Sequence, residues 1–320
     1  MAGAQRVFCG TTADRLKLDL GFRSVRADYA MQHTPIERLD AAVLVKREDM
    51  CGGDGAPPFS KLRGLVRHLE GLKGEDIRTV AYVETAISMA GWGVAWAARR
   101  LGLRTILFDP QIKNPGEVLL AHRRLWRECG AEIRPVRPGR ARVAYWIAKR
   151  ELARTDPDAV MLDLGIPLEE TIEETAAEWR WTMERVRPKT TVCAVGSGTI
   201  FAGIVRGWKI GEGRLIGVMT RSGDKDRKAA SIRRRSGRVA AGLLFGDGVD
   251  FELVDEGWGY AEPCEVAVPF PTNRYYDAKA WAWLVKNIKE LEAPVLFWNI
   301  GREVETKGVS NEKEERGIVG

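Results

Sequence analysis

Short runs of apolar, β-prone residues alternate with longer stretches of helical period along nearly the whole chain. That alternation restricts the fold more than any other feature. Residues 42–46 (AVLVK), 79–83, 104–108, 131–136, 190–195, 215–220 and 294–299 read as strands. Residues 60–72 (SKLRGLVRHLEGL), 88–101, 117–129, 142–154, 169–186, a run from Phe201, and 277–291 carry apolar residues at helical spacing. Gly130 supplies a stop for one of these helices. The pattern predicts an α/β fold in which mostly parallel sheets are covered by helices on both faces. In such folds ligands sit at the carboxyl ends of the strands, where loops and helix N-termini converge. Stretches 52–58 (GGDGAPP), 137–140 (RPGR) and 246–250 (GDGVD) read as linkers.

Several function classes are disfavoured. No apolar run reaches the ~18 residues of a membrane span, and the N-terminus lacks the basic-then-apolar order of a secretory signal. The five cysteines (Cys9, Cys51, Cys129, Cys193 and Cys264) form no CxxC pair. A disulfide framework or zinc site is therefore not expected, and a reducing cytoplasm is. Three histidines (His33, His68 and His122) argue against a histidine-rich metal centre. The net charge is +6, which favours polyanions but also fits a protein that never meets one. Most of the eleven tryptophans are expected in the core or in pocket walls.

Chemistry concentrates in a few segments. Residues 191–208 (TVCAVGSGTIFAGIVRGW) read as a buried strand that ends in Gly196, Ser197, Gly198 and Thr199 and runs straight into a helix. Small residues let backbone N–H groups turn inward, and the helix N-terminus adds partial positive charge, so the segment suits a phosphate monoester. It is neither a Walker loop nor a dinucleotide fingerprint, and a tight turn without ligand is the alternative. Lys61 follows a Gly/Pro-rich loop at the start of a helix. An ammonium is disfavoured there, which suits a nucleophilic amine, although a solvated lysine has the same signature. The dense basic run 225–238 (KDRKAASIRRRSGR) either follows a phosphate backbone or is a solvated helix face.

The order of a VKRED strand, a glycine loop, S-K-L-R, a small-residue helix start at Ser88, and a downstream GSGT loop resembles the fold-type II pyridoxal-phosphate enzymes, the tryptophan synthase β-like class. Within that class the chain is similar to 1-aminocyclopropane-1-carboxylate deaminase and D-cysteine desulfhydrase, over about residues 34–301. The resemblance implies pyridoxal 5'-phosphate as cofactor and a larger domain (1–76 and 155–301) with a smaller one (77–154) set into it. A polar tail (302–320) is expected to be poorly ordered. Lys61 takes the place of the Schiff-base lysine of the N-K-x-R motif, the 196–199 loop that of the phosphate-binding GSGGT, and Ser88 that of the serine in S-N-H/Q. The run 274–281 (RYYDAKAW) matches V-Y-E-G-K. That places Tyr276 as an active-site tyrosine and Asp277 as the carboxylate facing the pyridine nitrogen, where it favours the protonated ring. Asp277 also reads as a helix N-cap, and the two roles are compatible. Tyr260, in GWGYAEP, matches a second family tyrosine at a shorter spacing.

The chain also departs from that pattern. Met89 and Ala90 stand where the family has polar residues contacting cofactor or substrate, Thr199 and Ile200 depart from the glycine and threonine of the phosphate loop, and Asn299-Ile300-Gly301-Arg302 replaces T-G-G. The first two changes weaken transfer of the deaminase and desulfhydrase activities, because the resemblance implies that this loop grips the substrate carboxylate; cofactor binding is still expected. The run SMAGWGVAW at 88–96 is similar to pyridoxal-phosphate enzymes of tailed bacteriophages, some of which decarboxylate an amino acid attached to a pyrimidine in DNA. Three readings follow. The first is a lyase that decarboxylates an amino acid carried on a thymine-derived base in phage DNA. The second is a deaminase or desulfhydrase of a free small amino acid such as D-cysteine or 1-aminocyclopropane-1-carboxylate. The third is a cofactor-binding protein with little catalysis. The expected setting is cytoplasmic (host cytoplasm for a phage protein). The expected partners are an amino-acid-type substrate, DNA carrying it in the first reading, and a second copy in a homodimer. No membrane partner and no metal are expected.

Overall fold

The computed structural model describes residues 33–237 and 250–304. Most of the tail expected over 302–320, most of the 246–250 linker, Arg238 and Cys9 lie outside the described residues.

Among the described residues, ten strands form two sheets. The larger has the order β1 (Ile36–Arg38), β2 (Val43–Arg47), β10 (Val295–Asn299), β7 (Thr190–Val195), β8 (Arg214–Met219), β9 (Glu252–Asp255). Only the β1–β2 pairing is antiparallel. The smaller sheet is parallel throughout, in the order β5 (Glu132–Val136), β4 (Arg104–Pro110), β3 (Thr79–Val83), β6 (Val160–Met161). It therefore extends past Arg154 to Met161. The central strands β2, β7 and β10 are buried at every residue, which is why they read as continuous apolar runs rather than alternating ones. The short strands β1, β6 and β9 were not legible in the sequence, because two to four residues carry no usable period.

Among the described residues, eight α-helices cover the sheets: α1 (Leu62–Gly74), α2 (Ala90–Leu101), α3 (Glu117–Glu128), α4 (Ala141–Thr155), α5 (Glu169–Val186), α6 (Thr199–Gly207), α7 (Lys225–Ser236) and α8 (Asp277–Asn287). Helices α5 and α6 bury Ile172, Trp179, Phe201 and Val205 against one face of the large sheet, with Trp179 and Trp208 stacked at 4.7 Å. Trp281 and Leu284 of α8 cover the other face. The small sheet rests one face on α1, α2 and α3 through Leu65, Val94 and Trp126, and the other on α4 through Tyr145, Ala148 and Leu152.

Two close helix approaches depend on glycine. A Cβ at Gly64 of α1 would collide with the Thr171 backbone, and one at Gly203 of α6 would meet Thr175 and, at 2.9 Å, the Ile172 carbonyl. Under α1 lies a buried ionic cluster. Arg63 pairs with Glu48 at 3.0 Å and Glu178 at 3.6 Å, and Lys46 of β2 pairs with Glu178. Burying these charges is tolerable because each has a partner of opposite sign. Arg63, the arginine of the S-K-L-R run, thus anchors the turn that carries Lys61. Among the described residues no helix is long and apolar enough to cross a membrane.

Candidate active site

The carboxyl ends of both sheets open onto one cleft. Strand β7 delivers the 196–199 loop, β3 delivers residues 84–88, the segment after β6 delivers Gly165, and β10 delivers Ile300 and Gly301. Lys61, at the N-cap of α1, joins the two sides. Its Nζ donates to Ser197 Oγ at 3.0 Å and to the Gly165 carbonyl.

The loop from Gly196 to Thr199 has the form of an anion cradle. Gly198 holds φ +85°, a conformation that favours glycine, and a Cβ there would reach Ile232 at 3.0 Å. Thr199 opens α6, and its hydroxyl lies 3.0 Å from Ser197 Oγ. Two cations close around this loop. Lys228 Nζ donates to the Gly196 carbonyl at 2.7 Å, and Arg235 Nη1 to the Ser197 carbonyl at 2.6 Å. Both come from the basic run, which α7 divides: Lys228, Ile232 and Arg235 face the cradle, while Lys225, Arg227, Arg233 and Arg234 are exposed. The run is thus neither wholly a backbone-following strip nor wholly a solvated face. An apolar residue four positions after Lys228 and three before Arg235 marked the inward stripe, and the total charge of the run obscured it.

These neighbours set the state of Lys61. Burial first, then the charges of Arg235 and Lys228, lower its amine to about 7. A large fraction of the amine is therefore free base near neutral pH, as a carbonyl-capturing nucleophile requires.

Asp277, the first residue of α8, is buried, and its Oδ1 accepts from the Ile300 N–H at 2.8 Å. Burial pushes its carboxyl up to about 8, against the opposing pull of the Ile300 and Gly301 N–H groups. No cation faces it among the described partners, so it suits a ligand that brings a protonated nitrogen.

Three hydroxyls span the cleft. Tyr260 Oη lies 3.4 Å from Tyr276 Oη and 3.1 Å from Thr85 Oγ1. Tyr260, matched at the wrong spacing in sequence, is brought beside Tyr276. Burial raises the Tyr276 phenol well above its ordinary value, with Tyr260 adding to the shift, so the Tyr276 hydroxyl stays protonated. Ser88 Oγ accepts from the Ala90 N–H at 3.1 Å.

Met89 and Ala90, weighed as substrate contacts, are buried in the core beside Phe59 and Val94. Met89 carries an apolar group where the family pattern has an amide, and Ala90 has no polar side chain to offer.

Glu84 was not singled out in the sequence. It directly follows the apolar run of β3, is buried, and accepts from the Thr85 N–H at 2.8 Å and from the Gly91 N–H. Burial raises it to about 8. A charged residue immediately after a fully apolar strand was the available signal.

A cradle for a phosphate, a free-base lysine beside it, and a buried carboxyl lacking a cationic partner are three groups that a phosphorylated pyridine aldehyde would use at once. The donor set fits pyridoxal phosphate.

A model of the pyridoxal-phosphate dependent enzyme family matches residues 28–259. The glycyl-dTMP PLP-dependent decarboxylase of Pseudomonas phage M6 is 34% identical over 282 residues, covering 85% of this chain and 99% of that protein. Among solved structures, an ACC deaminase homologue superposes with a TM-score of 0.69 at 21% identity, covering 86% of this chain and 93% of the other, and shows the shared fold.

Proposed function

Because the chain belongs to the pyridoxal-phosphate dependent enzyme family, we propose that it is a lyase that decarboxylates a glycyl group carried on a thymidine-derived base during phage DNA hypermodification. The observation that carries this reading is the likeness to a glycyl-dTMP decarboxylase along 99% of that protein's length. The apolar Met89 and Ala90 support it, since the polar grip on a small free amino acid is missing from that loop.

When bound, pyridoxal phosphate supplies an aldehyde for the substrate amine and a protonated ring that draws electrons from Cα as carbon dioxide leaves. The 196–199 loop, the N-terminus of α6, Lys228 and Arg235 hold the phosphate. Lys61 would provide the anchoring amine and is the base and acid nearest to the cradle. Asp277 holds the proton on the ring nitrogen. Tyr276, with Tyr260 and Ser88, orients the substrate carboxylate and shares in returning a proton to Cα. The phage source of the relative supports the cytoplasm of an infected host as the setting.

The test is to incubate holoenzyme with glycyl-modified thymidine nucleotide, with D-cysteine and with 1-aminocyclopropane-1-carboxylate, and to measure carbon dioxide and ammonia separately. Carbon dioxide from the nucleotide alone is the expected result. Ammonia from either free amino acid would replace this reading with the deaminase or desulfhydrase one.

A further inference from the structure

A second cationic surface, scattered in the sequence, is assembled by α4. Between residues 137 and 154 the chain carries six basic side chains (Arg137, Arg140, Arg142, Lys149, Arg150 and Arg154) against the single carboxylate of Glu151. All six are exposed, and among the described residues none forms an ion pair. In their midst the helix exposes apolar groups. Trp146 is 53% and Val143 54% accessible, and Lys149 Nζ sits 5.4 Å from the Trp146 ring centre.

The outer face of α7 is less one-signed, because Asp224 and Asp226 share it and Asp255 lies against its N-terminal end. The N-terminal end of the α4 surface, with Arg137, Arg140 and Arg142, is also joined to the cleft. Helix α4 begins just past the carboxyl end of β5, the edge at which the site loops emerge. Its Tyr145 hydroxyl donates to Asp163 Oδ1 at 2.7 Å, two residues before the Gly165 carbonyl that accepts from Lys61.

We propose that the exposed face of α4 is a DNA-docking surface, with its arginines and lysines on strand phosphates and Trp146 stacked on a base or sugar, leading the modified base into the cleft. The proposal rests on the reading of the substrate as carried on DNA. Unpaired cations around an accessible indole are the combination that sequence-tolerant strand binding uses: counterion release at phosphates and stacking at bases. A base must leave the duplex to reach a lysine as enclosed as Lys61, and a surface beside the cleft mouth that holds the strand serves that step. The same face in a symmetric pair of chains would set six cations against six, so charge favours a polyanion over a second copy.

The experiment measures anisotropy of labelled single- and double-stranded oligonucleotides with holoenzyme across a salt series. It compares wild type with Arg140→Glu/Arg142→Glu and with Trp146→Ala, while turnover of glycyl-modified mononucleotide is followed in parallel. The double reversal is expected to weaken DNA binding about tenfold or more and to lower the log–log salt slope by about 2. Trp146→Ala is expected to weaken binding with the slope unchanged, and mononucleotide turnover to be kept in both, showing that the variants fold. Wild-type DNA affinity and slope in both variants would overturn the proposal. So would a dimer that Trp146→Ala dissociates without loss of DNA affinity, which would assign the face to a second copy. A wild type that loses DNA binding on charge reversal but leaves the glycyl nucleotide untouched would keep the surface and remove the substrate reading.

Discussion

The Nζ of Lys61 lies 3.0 Å from the hydroxyl of Ser197, so the amine proposed to anchor the cofactor and the loop proposed to hold its phosphate share a hydrogen bond. One residue comes from the N-cap of α1 and the other from the loop after β7, and their contact sets the distance between the two proposed roles. The same cations that line the cradle, Arg235 and Lys228, keep the amine near its free-base form after burial has done most of that work.

Removing those cations should separate affinity from chemistry. A charge-assisted hydrogen bond is worth roughly 1.5–3 kcal/mol, so Lys228→Ala or Arg235→Ala should weaken capture of pyridoxal phosphate about 10- to 100-fold. Titration of apo protein with the cofactor, followed by absorbance, measures it. Unchanged affinity in both variants would mean that the phosphate lies elsewhere.

The buried carboxyls give the apo protein an unusual pH profile. Glu84 and Asp277 are both held at about 8 by burial, well above the ordinary carboxyl value of about 4. Between those limits the folded chain binds more protons than the unfolded one, so stability falls as pH rises from roughly 5 to 8. Lys61, lowered to about 7, acts with the opposite sign and only at and above that pH. Urea midpoints at pH 5 and 7.5 should therefore decrease with pH, and Glu84→Gln should flatten the slope. A variant with the wild-type slope would show that Glu84 does not titrate in this range.

Glycine substitutions test the helix packing that supports the cradle. Gly203→Ala drives a methyl against Thr175 and Ile172 and should cost roughly 1–3 kcal/mol. Gly71→Ala, with open space around its Cβ, should instead stabilise by about 0.5–1 kcal/mol. Thermal unfolding of the two variants should move the melting temperature in opposite directions.

The tyrosine bridge predicts a split between two neighbours. Tyr276→Phe removes the enclosed hydroxyl and should lower kcat about 10²-fold or more. Tyr260 is more exposed and ties Thr85 to Tyr276. Tyr260→Phe should act mainly through KM. Equal losses of kcat in both would make Tyr260 a direct participant.

What the sequence revealed and what it hid follow from range. The strands β2, β7 and β10 and the 196–199 loop were legible because a buried strand ending in small residues is a local signal. Lys61 and Asp277 stood out only as members of an ordered set of motifs. Lys228 and Arg235 did not, because which cations of a basic helix turn inward depends on what that helix packs against, here Gly198 over Ile232. Glu84 was hidden for a related reason. Its raised carboxyl comes from burial beneath the N-terminus of α2, a tertiary fact. The cations of α4 were divided between a linker and a helix, and only the fold shows them as one surface.

The proposed chemistry stands or falls on Lys61 as the residue that carries the cofactor in this cleft. Borohydride reduction of the holoenzyme, followed by proteolysis and mass spectrometry, tests it in one step. A phosphopyridoxyl group is expected on the peptide containing Lys61, and none after Lys61→Ala. A label on Lys228 or Lys279 in the wild type, or no label at all, would contradict it.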